Sequence, residues 1–271
     1  MKQRAPLVIT FSASDPIAGA GLQADVLTLS ALGVHPLTVV TGLTAQNTVG
    51  VQRFEACSAR WIEDQLRALL DDGVVFSAIK AGVLGSLAAV RALSALKTRF
   101  PDVPLVLDPV RASGRGDSFG DPRVWKAMRN ELLPVVDLLT PNWPEAQAMT
   151  QCDDEDAAAH ALLGMGCGAV LLKGEHQPGA QVINRLYRQG VAASLDFPCE
   201  RLAGQFHGSG CTLASACAAG FAQGLTVIEA VPFALEFTWH ALKHGFEVGQ
   251  GQLIPDRMHL MRQWADVAVL P

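Results

Sequence analysis

The segment His207-Gly208-Ser209-Gly210-Cys211-Thr212 sets two glycines around a serine, directly ahead of the small-residue run 213–220. That composition makes a tight turn feeding a helix. The first N–H groups of a helix have no intrahelical partner, and the peptide dipoles gather partial positive charge there. Glycine lets an anion approach this backbone closely. Gly208, Ser209, Gly210 and Thr212 therefore read as a phosphate cradle, with the Cys211 thiol in the first turn. The same residues also suit an ordinary glycine-rich helix start, and Cys211 alone reads as a buried packing residue. A thiol at a helix N-terminus is expected to have a lowered pKa, which suits it to accept a proton from an attacking hydroxyl.

Other residues of the same chemical interest stand at the ends of apolar runs. They are Asp15, Asp108, the loop Asn142-Trp143-Pro144-Glu145, and Lys173. Lys173 can reach donor phosphates or sit solvated at the surface. An amide and a carboxylate three residues apart suit a Mg²⁺ ion that keeps several waters. The same spacing is that of a capping box. Asp108 is a second candidate for the metal or phosphate network, or a brace for its turn. No GxxxxGK[ST] segment occurs, so a Walker-type loop is not the device. Gly19-Ala20-Gly21-Leu22-Gln23-Ala24 matches G-x-G-x-x-A, the turn of a dinucleotide-binding oxidoreductase. Thr41-Gly42-Leu43 stands where that fold needs an acid, which weakens the match.

The elements that must carry these groups follow from apolar patterning. Strands are expected at 7–11, 37–41, 77–81, 105–107, 138–139 and 169–172, with a hairpin of 182–188 and 191–195. Helices are expected after Gly21, where Leu22, Val26 and Leu29 recur, and through Trp61, Ile62, Leu66, Leu69 and Leu70. Others are expected after a Ser86 cap, after Pro144 at a first helical position, at 155–163, after Gly208, near 227–246 with Thr226 as cap, and at 257–266. Pro232 is expected to bend the helix near 227–246. Strands alternating with helices imply an α/β fold with a mostly parallel central sheet and helices on both faces. Ligands of such folds bind at the carboxyl ends of the strands. Asp15, Asp108, Asn142, Glu145 and Lys173 all follow strands, so they should share one rim.

Composition narrows the classes. With 271 residues, 49% of them hydrophobic, one large domain spanning 1–271 is expected, since no Pro-, Gly- or Ser-rich linker divides it. A net charge of −5 without single-sign runs argues against nucleic-acid binding. No run of about 18 apolar residues suits a membrane span. The start, Met1-Lys2-Gln3-Arg4, leads straight into a strand pattern, which reads as no secretory leader. Six cysteines without a CxxC pair favour neither a disulfide framework nor a zinc site, and point to a reducing cytoplasm.

Taken together these segments resemble a known family. Ser14-Asp15-Pro16 with Gly19-Ala20-Gly21-Leu22-Gln23-Ala24-Asp25, and Leu43-Thr44-Ala45-Gln46-Asn47-Thr48-Val49-Gly50-Val51, are similar to the amino-terminal signatures of bacterial hydroxymethylpyrimidine/phosphomethylpyrimidine kinases. Thr140-Pro141-Asn142-Trp143-Pro144-Glu145, Lys173-Gly174 and His207-Gly208-Ser209-Gly210-Cys211-Thr212 match later motifs in order. The resemblance implies a ribokinase-like three-layer sandwich. It implies phosphoryl transfer from ATP to the hydroxymethyl group of an aminopyrimidine, then to its monophosphate, in thiamine biosynthesis. It implies Cys211 as base, within an anion hole of Gly208, Ser209 and Gly210. On the acceptor side it points to Gln46, whose amide offers a donor and an acceptor together, to Asp25 near the hydroxymethyl group, to Ala20 and Gly21 as a backbone wall, and to Val83 against the ring. Lys173, Asn142, Asp108 and Thr212 fall on the ATP side, with Glu145 and Asp108 for Mg²⁺. Such kinases are often homodimers, which a largely apolar helix surface would permit.

The sequence departs from the family pattern at Ala13, Ile17, Ala18 and Glu175. It departs again at Arg111-Ala112-Ser113-Gly114-Arg115-Gly116-Asp117, where Arg115 stands for a missing lysine and the loop is expected to cover the site. A pyridoxal kinase of the same fold and a non-catalytic pyrimidine-binding relative remain the alternatives.

Overall fold

The computed structural model describes residues 5–110 and 121–262. Its frame is one nine-stranded sheet in the order β3-β2-β1-β4-β5-β6-β7-β8-β9. The strands are β1 (Leu7–Ser14), β2 (His35–Asn47), β3 (Gly50–Ala56), β4 (Ala78–Ala81), β5 (Leu105–Leu107), β6 (Leu138–Leu139), β7 (Ala169–Leu172), β8 (Gln181–Arg188) and β9 (Val191–Glu200). The central pairings from β2 through β1, β4, β5 and β6 to β7 are parallel. Antiparallel partners close both edges, β3 against β2 and β8–β9 beside β7.

Side-chain alternation along the strands builds the layers. Ile9, Phe11, Ile79, Leu105, Leu107, Leu139, Val170 and Leu172 face one core. That core is covered by α2 (Ala59–Asp71), α3 (Leu87–Arg99), α4 (Pro122–Ala127), α5 (Trp143–Thr150) and α6 (Glu155–Gly164). Val8, Ala78, Val106, Leu138, Ala169 and Leu171 face the other. It is covered by α1 (Gly21–Ala31), α7 (Ser209–Ala222) and α8 (Val227–Lys243). A mostly parallel sheet between two helical layers is the expected sandwich. Among the described residues no helix is long and apolar enough to cross a membrane.

Local signals explain several boundaries. The Ser86 hydroxyl accepts the Ala89 N–H at the start of α3, and Thr226 with Glu229 forms a capping box on α8. Three expectations need correction. β2 does not end at Thr41 but runs on to Asn47 and turns back as β3. The Asn47 carboxamide accepts the Val49 and Gly50 N–H groups and so makes the turn. Trp61 lies outside the buried face of α2, at 66% exposure. α5 begins at Trp143, which puts Pro144 one residue further in. Of the segment 257–266, residues 257–258 form a turn, 259–262 are helical and 263–266 lie outside the described residues, as does the loop 111–117.

A buried polar knot ties the middle of the sheet to both inner helices. Asp25 of α1 and Lys80 of β4 are both fully buried, with Lys80 Nζ 2.7 Å and 2.9 Å from the two Asp25 oxygens. Thr10 of β1 and Ser215 of α7 each donate a hydroxyl to the same carboxylate. Burial works against the Lys80 ammonium, but the Asp25 carboxylate, its hydrogen bond and the nearby Cys211 and Asp108 together outweigh burial and hold the pKa above its ordinary value. Removing one partner leaves a buried charge without compensation. Lys80→Met should lower unfolding stability by about 3–5 kcal/mol in urea titration, and adding Asp25→Asn should recover part of the loss.

Candidate active site

The site grows from the α7 start. Gly208, its N-cap, has φ 77° and ψ 22°, a left-handed conformation that favours glycine. A Cβ there would also meet the Gly19 carbonyl at 2.0 Å and the Ala20 Cα at 2.8 Å. The first backbone bond of the helix is Thr212 N–H to Gly208 O, 3.0 Å. The amides of Ser209, Gly210 and Cys211 precede it and belong to the free set at a helix start. A Cβ on Gly210 would lie 3.1 Å from Lys173 Nζ and 3.4 Å from Asp108 Oδ2. Gly210 thus leaves open the space where an ammonium and a carboxylate face the helix start.

Those two groups come from the ends of two parallel strands with β6 between them. Asp108 follows β5 and Lys173 follows β7, with Lys173 Nζ 3.2 Å from Asp108 Oδ1 and 3.9 Å from Glu145 Oε2. Thr140, after β6, donates its hydroxyl to Asp108 Oδ1. Glu145 and Asn142 form the capping box. Asn142 Oδ1 accepts the Glu145 N–H, and Glu145 Oε2 accepts the Asn142 N–H, both at 2.9 Å. Burial pushes the Glu145 carboxyl up to about 7, Lys173 opposing and Asp108 reinforcing that rise. Burial works against the Lys173 ammonium, but Asp108 and Glu145 outweigh it and keep its pKa above the ordinary lysine value. A cavity of about 760 Å³ opens beside this cluster. Asn142, Glu145, Lys173, Ser209 and Gly210 line its polar end, and Leu213, Leu235, Trp239 and Leu242 its apolar end.

The amino-terminal loop closes the other side. Asp15, 1% exposed, accepts the N–H groups of Ile17, Gly19 and Ala20 and lies 2.9 Å from His207 Nε2. Burial opposes ionisation of Asp15, yet these bonds outweigh it and hold the carboxyl below its ordinary value. Arg257 is 2% exposed and lies between the two loops. Its guanidinium donates to Gly19 O at 2.6 Å, to Ala18 O and Gly208 O at 3.4 Å, and to the Thr212 hydroxyl at 3.0 Å. Cys211 sits at this junction, its sulfur taking a hydrogen bond from the Gly21 backbone. Further out, Gln46 is half-buried near the end of β2, opposite Val51 of β3. The backbone beyond it is held where Thr48 accepts the Gly251 and Gln252 N–H groups. Val83 is buried after β4, its carbonyl accepting the Thr41 hydroxyl.

The structure therefore gathers Gly208, Ser209, Gly210, Cys211, Lys173, Asp108 and Glu145 around one helix start, with Ala20 and Gly21 against it. Gln46 lies on a strand, not in a loop. Asp25 lies beneath the rim, its oxygens taken by Lys80, Thr10 and Ser215. The Thr212 hydroxyl donates to Gly208 O and accepts from Arg257, which gives it a bracing place. Asn142 makes the cap that was one of its two readings. The expected lowering of the Cys211 pKa is reversed. Burial pushes the thiol up to about 11, against the pull of Lys80. His207 and Arg257 were not singled out by type or spacing. The only hint was an imidazole next to the glycine turn.

Known proteins are similar to this chain in sequence and fold. The family described as Phosphomethylpyrimidine kinase matches residues 15–256. The chain is 38% identical over 252 residues to the hydroxymethylpyrimidine/phosphomethylpyrimidine kinase of Streptomyces coelicolor, covering 91% of this chain and 92% of that one. It is 36% identical to the enzyme of that name from Rhizobium meliloti, covering 96% and 99%. Among solved structures it is similar to a Bacillus subtilis pyridoxal kinase in an ADP complex, with TM-score 0.86, 25% identity and coverage of 95% and 99%. It is also similar to a Clostridium difficile phosphomethylpyrimidine kinase, with TM-score 0.75, 29% identity and coverage of 87% and 99%. With the family pattern running from Asp15, just after β1, to Asp256, the chain belongs to the phosphomethylpyrimidine kinase family.

Proposed function

We propose that this chain is an ATP-dependent kinase that phosphorylates 4-amino-5-hydroxymethyl-2-methylpyrimidine, and then its monophosphate to the diphosphate, in thiamine biosynthesis. The observation that carries the reading is the position of Cys211. It stands in the first turn of α7, bonded to the acceptor loop at Gly21 and facing the charges of Lys80 and Asp108. The hydroxymethyl oxygen attacks the terminal phosphorus of ATP, its proton passes to the Cys211 thiolate, and the bond to the leaving ADP oxygen breaks. Phosphoryl transfer depends on positioning and charge neutralisation. The Ser209, Gly210 and Cys211 amides and the Lys173 ammonium supply these for the moving group.

The apolar end of the cavity suits the adenine ring. Thr238 lines it with a buried hydroxyl that has no partner among the described residues. Mg²⁺ fits the donor set. Asp108 directs Oδ2 towards the helix start, Glu145 adds a second carboxylate, and hard oxygens with water in the remaining places are what this ion takes. Bound there by Glu145 and Asp108, Mg²⁺ would neutralise phosphate charge. On the acceptor side the Gln46 carboxamide matches a ring nitrogen and an exocyclic amine. The chain is read as a cytoplasmic homodimer, with the exposed Leu43 and Val49 beside Gln46 as apolar surface for a second copy to cover.

Three measurements test this reading. ADP release should appear with the hydroxymethylpyrimidine at a kcat/KM well above that with pyridoxal. The reverse order would make pyridoxal kinase the better reading, and no release with either would favour a binding protein. Cys211→Ala should lower kcat by about 100-fold or more, the usual contribution of a general base, with nucleotide affinity near normal. Full activity in that variant would remove Cys211 from the mechanism. A thiol raised to about 11 is mostly protonated at neutral pH, and its ionised fraction rises about tenfold per pH unit below that value. Acceptor kcat/KM should therefore climb steadily from pH 7 to pH 9, and a profile flat across that range would contradict a base with this pKa.

A further inference from the structure

Three imidazoles meet on the far side of the Arg257 turn, outside the kinase site. His240 and His244 are four residues apart at the end of α8, so they share a helix face. His259 opens the last described helical turn and is 5% exposed. One ring nitrogen from each lies within 4.8 Å of the others. The ring centroids are 5.1 Å apart for His244–His259, 6.0 Å for His240–His259 and 6.4 Å for His240–His244.

Their hydrogen bonds fix which nitrogens are free. His244 Nδ1 is 2.9 Å from His240 O, and His259 Nδ1 is 3.0 Å from Asp256 O. A carbonyl only accepts, so each Nδ1 carries the proton and each Nε2 keeps its lone pair. A backbone carbonyl on the far nitrogen is the usual support for a metal-binding histidine. Nearby cations are engaged elsewhere. Lys243 lies over the Trp239 ring, and Arg262 pairs with Asp256 at 3.2 Å.

We propose that His240, His244 and His259 form a binding site for a transition-metal ion of the Zn²⁺ class, which pins the turn carrying Arg257 to the end of α8. Three imidazoles with no carboxylate among them favour Zn²⁺, Co²⁺ or Ni²⁺ over Mg²⁺ or Ca²⁺, which prefer oxygen. Three imidazoles and one water make an open tetrahedral site. Metal–nitrogen bonds of about 2.0–2.1 Å require the nitrogens to be about 3.3 Å apart, so the rings must draw together. His259 is held by burial and its bond to Asp256, while the exposed His244 and half-buried His240 have room to rotate inwards. A single residue, Met258, separates His259 from Arg257, whose guanidinium joins the amino-terminal loop to the α7 turn.

Co²⁺ titration of the chelator-stripped full chain, in excess Mg²⁺, tests the site. One equivalent should produce visible d–d bands without intense near-ultraviolet thiolate bands, and Zn²⁺ should displace it. His244→Ala and His240→Ala, both on the solvent side, should each weaken Co²⁺ binding at least tenfold and abolish a Zn²⁺-dependent rise in Tm. Metal-free kinase activity should stay unchanged in the His244→Ala chain. Absence of the bands in the unmodified chain, bands dominated by thiolate, or one-to-one binding retained in both variants would overturn the proposal.

Discussion

The close contact between the amino-terminal loop and the α7 turn is the constraint on which the rest of this site depends. Gly208 has no room for a side chain because the Gly19 carbonyl and Ala20 Cα occupy the space. The main chains are then joined by a buried guanidinium that donates to Gly19 O, Ala18 O and Gly208 O. Burial pulls the Arg257 pKa down to about 10, which still leaves it charged near neutrality. The Asp15–His207 pair bridges the same two loops. Cys211, Lys173 and Asp108, the groups proposed for the chemistry, all lie against these segments. The Gly21 backbone reaches the Cys211 sulfur from one side, and Lys173 and Asp108 face Gly210 from the other.

The buried Asp25–Lys80 knot supports that contact from below, because it fastens α1 and α7 to β1 and β4. It also explains how a thiol in an apolar surround keeps a route to ionisation. Lys80 is the main favourable charge acting on Cys211. The sequence reading assigned the thiol a lowered pKa from the helix terminus alone. Terminal dipole effects are typically 0.3–1 kcal/mol, whereas a rise of about two pKa units corresponds to about 2.7 kcal/mol. Burial wins, and burial of Cys211 depends on how the acceptor loop closes over it, which local spacing does not encode.

Much of the architecture was legible because two periods carry it. Short β-branched runs followed by Asp15, Asp108 and Lys173 put the parallel strands and their chemical ends in view. Gly208-Ser209-Gly210 marked the helix start. The β2 extension was harder to read. Thr41-Gly42 looks like a strand end, yet the alternation of Leu43 and Ala45 with Thr44 and Gln46, and the Asn47 to Gly50 turn, carry the strand on and bring Gln46 onto the sheet edge. Asp25 misled for a related reason. It stands in a helix that begins at the rim, but the helix points it inwards to Lys80, a partner 55 residues away. Arg257 gave no local signal and His207 only its place beside the glycine turn, since their roles exist only where residues more than 180 positions apart in the chain come together.

The hydroxyl to be phosphorylated and the phosphate to be transferred are proposed to meet at the first turn of α7. A crystal structure with a non-hydrolysable ATP analogue and the hydroxymethylpyrimidine tests this most directly. The expected complex has the hydroxymethyl oxygen within hydrogen-bond reach of Cys211 Sγ, and the terminal phosphate against the amides of Ser209, Gly210 and Cys211. A hydroxymethyl group turned away from Cys211, or a terminal phosphate seated elsewhere in the cavity, would contradict it.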